Sequence, residues 1–190
     1  MSEQIRDQHA LRELEAIARD PARAFFDIPD RVRDARPAGA RDFDFLQGEW
    51  VIHHRRLKER LVGSNEWIEF ETPFVMHAIL GGLGNIDQCR IAEPFFEGIS
   101  LRLFDLAEGL WRIYWIDTNG ARLFPPVVGS FEGPIGTFHG EDSHQGRPVR
   151  VTFRWDRRDA NRPEWHQAFS SDGTSWEINW YMSFRRPDAA

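Results

Sequence analysis

His53-His54 is the most conspicuous titratable pair in the chain. Neighbouring side chains on a strand point to opposite faces, so the two imidazoles cannot chelate one ion. His54 alone suits proton transfer, because imidazole titrates near neutral pH. Arg56, two residues on, shares its strand face and offers paired N–H donors to a carboxylate. A second group, His139, Glu141, Asp142 and His144, has the donor types that zinc-like ions take. Its polar, glycine-bearing makeup, with Gly146 just beyond, reads more simply as a solvated hairpin loop, so no metal is expected. Cys89 is the single cysteine, which excludes a disulfide within the chain and a cysteine-based zinc site. It falls in a strand pattern and reads as an inert buried thiol. Lys58 is the sole lysine, so Schiff-base chemistry would depend on it alone. There is no Gly-x-Ser-x-Gly elbow. Gly81-Gly82-Leu83-Gly84 lacks the Lys-Ser/Thr of a phosphate loop. Glu69 and Glu71 share a strand face and are explained by an exposed surface. His166 reads as an exposed or satisfied histidine.

The elements that must position these groups are strands. From residue 41 the apolar pattern has period two, with runs at 48–58, 66–79, 85–92, 99–106, 110–118, 127–132, 137–140, 148–155, 164–170 and 175–185. Pro73 implies an edge, bulge or bend inside the second run, and Asn119-Gly120 predicts a tight turn. The links are too short for parallel crossovers. The pattern predicts an all-β fold: an antiparallel up-and-down barrel of nine or ten strands, closed because closure removes exposed edges. Residues 1–40 read as an N-terminal helical extension and linker, and 41–190 as the barrel. Within the extension, Ile5, Leu11, Leu14, Ile17 and Ala18 approximate one helical face, Phe25, Phe26 and Ile28 form an apolar knot, and Pro37-Ala38-Gly39-Ala40 is a linker signal. A helix capping one end of the barrel is the simplest reading of residues 1–36. A surface through which copies of the chain associate as a homo-oligomer is the alternative.

The formal net charge of −6 argues against a nucleic-acid partner, which selects for basic surfaces. No apolar run approaches the roughly 20 residues needed to span a bilayer, and Met1 to Asp7 show no secretory leader. A cytoplasmic protein with no membrane partner is expected. The aromatic content, 8 Trp and 15 Phe against 2 Tyr in 190 residues, implies a thick aromatic core or an aromatic-lined cavity.

Asp44-Phe45-Leu46-Gln47-Gly48-Glu49-Trp50 stands at the start of the first strand, and Arg185-Arg186 at the end of the last. A Gly two before a Trp at this place, with a late basic residue, resembles the opening motif of lipocalin-like, calycin-type barrels. The resemblance implies that the Trp plugs the closed end and that the basic residue packs across it. The stretches 43–50, 80–85, 100–105 and 165–170 look like those of an uncharacterised bacterial family with this fold, over roughly residues 41–186. That family brings no established activity and no catalytic residues. Haem-binding barrels of this type carry glycines after the opening Trp; Val51-Ile52-His53-His54 stands here instead, so no cofactor is expected.

If Trp50 points inward, Ile52, His54 and Arg56 follow it. On the last strand the row Trp176, Ile178, Trp180, Met182, Phe184 is expected to face in, with Trp165, Gln167 and Phe169 beside it and the row Trp111, Ile113, Trp115 on the middle strand. These rows give Trp50, His54, Arg56, Trp111, Trp115, Trp165, Gln167 and Trp180 as candidate ligand contacts. The chemistry fits a pocket for a small hydrophobic molecule, aromatic or carboxylated. A solid aromatic core explains the rows nearly as well. An isomerase, cyclase or hydratase, with His54 carrying a proton and Arg56 stabilising an anion, is the alternative within a hollow barrel.

Overall fold

Period-two alternation from Gly48 onward forms ten strands, and each link, whether a tight turn or a loop such as that from Asp117 to Val127, lets a strand pair with the next. The computed structural model describes residues 28, 30–91 and 95–188. Its strands are β1 (Gly48–Leu57), β2 (Trp67–Ile79), β3 (Gly84–Ile91), β4 (Phe96–Asp105), β5 (Leu110–Asp117), β6 (Val127–Glu132), β7 (Ile135–His144), β8 (Arg147–Asp156), β9 (Glu164–Ser170) and β10 (Glu177–Arg185). They form one closed antiparallel barrel in which each strand pairs with its sequence neighbours and β10 returns to β1. Closure satisfies both edges; the final seam runs from Val51↔Arg185 to Arg56↔Trp180. Pro73 is in register with Val51 of β1, while the β2–β3 ladder begins only at Phe74, so the missing N–H costs no ladder bond there. Among the described residues, no helix is long and apolar enough to cross a membrane.

One end of the barrel is plugged. Residues 38–46 fold across it in two short 3-10 turns, Ala38–Arg41 and Asp44–Leu46. Phe43 meets Trp111, Phe131 and Trp155 edge-on at 5.0, 5.2 and 5.8 Å, contacts worth about 0.5–1.5 kcal/mol each beyond the area they bury. Trp111 Nε1 donates to Gly39 O at 2.9 Å, and Trp50 Nε1 to Leu46 O at 2.8 Å. Three arginines pin the plug from outside. Arg36 pairs with Asp44 at 2.7 Å and donates to Gly82 O, which ties the short helix α1 (Asp30–Asp34) and its exit to the turn Leu80–Gly82. Arg157 reaches Asp42 at 3.0 Å. Arg186 lies 3.5 Å above the Trp50 ring and donates to Gln47 O and Glu49 O at 2.9 and 3.1 Å. Gly48 is needed here because its φ of +90° is a left-handed conformation, taken with Arg186 close against it. Arg185 points outward to Glu71 at 3.3 Å, so of the terminal arginines Arg186 is the one that crosses the tryptophan. The positions from Ile5 to Phe26 lie outside the described residues.

Three sequence expectations are corrected. Trp176 and Ile178 are 42% and 37% exposed, not inward. The β9–β10 register slips between Ile178 and Trp180, so the extra residue Asn179 turns in and the row changes phase. Gln167 Nε2 donates to Asn179 Oδ1 at 2.7 Å and holds the bulge. The run His139–His144 is not a loop but the end of β7; the turn is Gln145-Gly146, both at positive φ. Asn119-Gly120 does not close a two-residue hairpin, because β6 starts only at Val127; Asp117 accepts both their N–H groups at 3.0 Å within a longer loop.

Candidate ligand-binding site

Side chains alternate inward and outward, so each strand delivers a column that runs from the plugged end to the open end. On β1 the column is Trp50, Ile52, His54, Arg56. The lower members are core. Above them lies a cavity of about 280 Å³, at the small end of ligand pockets. Its walls are largely aromatic and aliphatic, with Trp115, Trp155, Trp165, Trp180, Phe153 and Phe169 prominent. The Trp115 ring lies across Gly98, where a Cβ would come within 2.2 Å of it, so that glycine gives the indole its place.

His54 is locked. The Trp180 indole can only donate, and Nε1 reaches His54 Nδ1 at 3.2 Å, so Nδ1 is the acceptor. The proton therefore sits on Nε2, which donates to Thr72 Oγ1 at 2.8 Å. Phe70 stacks on the ring at 4.5 Å. Burial, with His53 and Arg56 as nearby positive charge, pushes His54 down to about 3. Both ring nitrogens are committed and the ring stays neutral, which argues against His54 as a proton carrier for a substrate.

Across the barrel, β3 and β4 turn a polar face inward. Asn85, Asp87 and Ser100 are buried, and Arg102 forms an ion pair with Asp87 inside the wall. Arg102 Nη1 also donates to Asn85 Oδ1 at 2.9 Å, and Ser100 N donates to Asp87 Oδ1 at 3.3 Å. Burial pushes the Asp87 carboxyl up, opposed by Arg102 and Ser100. Cys89 lines the same wall, and burial, with Asp87 nearby, pushes its thiol up to about 12. At pH 8 the native thiol is expected to react with a disulfide reagent roughly a thousandfold more slowly than in the unfolded chain; a rate within tenfold would show the wall open there.

At the open end two guanidiniums enter the cavity. Arg56 lies 5.0 Å over Trp180, and Arg60 lies 5.5 Å over Phe169 and 5.9 Å over Trp180. Among the described residues neither has a carboxylate within ion-pair distance. The carboxylates nearby are engaged elsewhere: Asp117 takes the Trp115 indole N–H at 3.0 Å, Glu177 takes Leu61 N at 2.8 Å, and Asp142 takes Ser143 N at 2.7 Å. Burial pushes Arg56 down, opposed by the Asp117 charge, and pushes Arg60 down to about 10, with Arg56 adding to that shift and Glu177 opposing it. His144 adjoins them, and its Nε2 is buried with no partner.

No family model matches the chain, and no curated protein matches it in sequence. Among solved structures it is similar to Rv2717c from M. tuberculosis, at 11% identity and a TM-score of 0.52, over 80% of this chain and 98% of that one. The likeness is one of fold.

A likeness of fold assigns no residue, so the site rests on its own geometry. Of the eight sequence candidates, His54, Arg56, Trp115, Trp165, Gln167 and Trp180 line the cavity together. Trp50 and Trp111 do not; both are 1% exposed and belong to the plugged-end core. His53 faces outward to Glu69 at 3.2 Å. His139 is exposed and away from the cavity, whereas Glu141, Asp142 and His144 reach its open end. Among the described residues, no group of three His, Cys, Asp or Glu is placed to hold a metal ion. Arg60, Asp87 and Arg102 were not singled out from sequence. For the last two the available signal was opposite charge in the same strand phase on consecutive strands.

Proposed function

We propose that the chain is a lipocalin-like binding protein for a small, mostly apolar molecule carrying an acidic group. The observation that carries this reading is the pair Arg56 and Arg60: two half-buried guanidiniums over aromatic rings at the mouth of an apolar cavity, with no carboxylate among the described residues in ion-pair contact with either. A partly desolvated cation without a direct ion-pair contact is costly, and a ligand carboxylate meets that need through charge-assisted hydrogen bonds. Trp115, Trp165 and Trp180 supply the walls, and Gln167 a polar contact. Medium-chain and aryl acids are expected to change the intrinsic tryptophan fluorescence on titration, and their methyl esters to bind about tenfold or more weakly. Exchanging Arg56 and Arg60 together for glutamine is expected to erase that preference. Acids and esters binding alike, or silence across the acids, would overturn the reading.

A further inference from the structure

An acid at the mouth leaves donors deeper in the barrel unmet. Both hydrogen bonds of the Arg102 guanidinium leave from Nη1, to Asn85 and Asp87. The opposite edge, Nε and Nη2, makes no hydrogen bond with any described residue, and Nε is buried. The Trp155 ring lies near the guanidinium, with Arg102 Cζ 5.7 Å from its centroid, and Trp155 Nε1 is also buried without a hydrogen-bond partner. Both residues line the cavity. Guanidinium and indole only donate, so whatever completes them is an acceptor. Asp87 already balances the charge of Arg102, so a second carboxylate would have no net cation to meet; a neutral oxygen fits.

We propose that the ligand is an oxo- or hydroxy-acid, with its carboxylate at Arg56 and Arg60 and a neutral oxygen at the Arg102 Nε–Nη2 edge and Trp155 Nε1. The inference rests on the acid-binding reading of the mouth. The two ends divide the work: the mouth selects for charge, and the inner donors select for a carbonyl or hydroxyl at a set distance from it. A pocket without those donors would bind the oxo compound more weakly than its parent, since the carbonyl gives up its water and gains nothing. The sign of the difference therefore discriminates.

The test titrates the full chain with decanoic and 9-oxodecanoic acid, and with shorter pairs of the same kind, by calorimetry. At the best chain length the oxo-acid is expected to bind at least about fivefold more tightly than its parent. Trp155→Phe keeps an aromatic ring, smaller than the indole, and removes the N–H; there the oxo-acid's advantage over its parent, taken as the ratio of the two affinities in the same variant, is expected to fall below about twofold. Should that variant melt early, the wild-type comparison decides alone. Parent acids binding as tightly as the oxo-acids at every length would overturn the inner site and leave the mouth standing. An advantage that survives intact in Trp155→Phe would also overturn it. If no acid binds at all, both proposals fall.

Discussion

Replacing Arg102 by methionine is expected to cost the barrel about 3–5 kcal/mol, the largest effect of any single exchange proposed for this chain. Side chains of the Arg102–Asp87 pair are 4% and 3% exposed, so removing the cation strands a carboxylate in the wall. Burial already pushes that carboxyl up, and Arg102 is the main group pulling it back. Without Arg102, Asp87 must either stay charged in a low-dielectric wall or take up a proton, and both routes weaken the fold. The guanidinium also lies 5.1 Å over Phe43, so the plug loses a contact. Exchanging both partners, Asp87→Leu with Arg102→Met, is expected to recover most of the loss, because the expensive state is the unpaired charge and not the missing bridge. Urea denaturation of the two variants and the parent measures this. A single variant within about 1 kcal/mol of the parent would mean that Asp87 reaches water.

The same pair shows where sequence reading stops. On most strands the apolar residues face in, and the rows on β1, β5 and β9 can be read directly. On β3 and β4 the alternation is just as clear but the phase is reversed: Asn85, Asp87, Ser100 and Arg102 face in, while Ile86, Ile99 and Leu101 lie half-buried on the outer side. Alternation fixes that two faces differ, not which one is inside. Only cross-strand register decides that, here by setting Asn85 opposite Arg102 and Asp87 opposite Ser100. The Asn179 bulge is a second case, since one inserted residue reverses everything before it and nothing in Trp176 to Phe184 announces it.

The closed barrel was legible because its devices are local: hairpin links, the Gly48-Glu49-Trp50 opening and a late arginine over the tryptophan. The cavity was legible in part. Strand parity delivers His54, Arg56 and Trp180, but parity says nothing about height along the barrel. Trp50 and Trp111 share the inward face with the cavity residues yet sit below it, where residues 38–46 fill the end. Arg60 was out of reach because it belongs to the loop between β1 and β2, and only the barrel's closure brings it over Phe169 and Trp180.

Stability is expected to fall by about 2 kcal/mol between pH 7 and pH 5 through His54 alone. In the unfolded chain a histidine titrates near 6.5, and in the barrel burial holds His54 near 3. Between those values the unfolded chain binds a proton that the folded one refuses. The stabilisation is therefore complete above about pH 6.5 and drains as the pH drops toward 3, at about 1.4 kcal/mol per pH unit. His144 and His166 are lowered in the same direction by burial, so the parent's total slope does not isolate His54. The difference from His54→Gln does. A glutamine amide can accept from Trp180 Nε1 and donate to Thr72 Oγ1, the roles the imidazole fills now, but it has no proton to gain in this range. Urea midpoints at pH 5 and pH 7 are expected to separate the two proteins by about 2 kcal/mol more at the higher pH than at the lower, relative to the variant's own change. Equal changes in both would mean that His54 protonates alike folded and unfolded, and the neutral imidazole bridging Trp180 and Thr72 would have to be abandoned. A full separation would place a permanently uncharged ring beside Arg56, leaving the guanidiniums as the charged contact for an acid at the mouth.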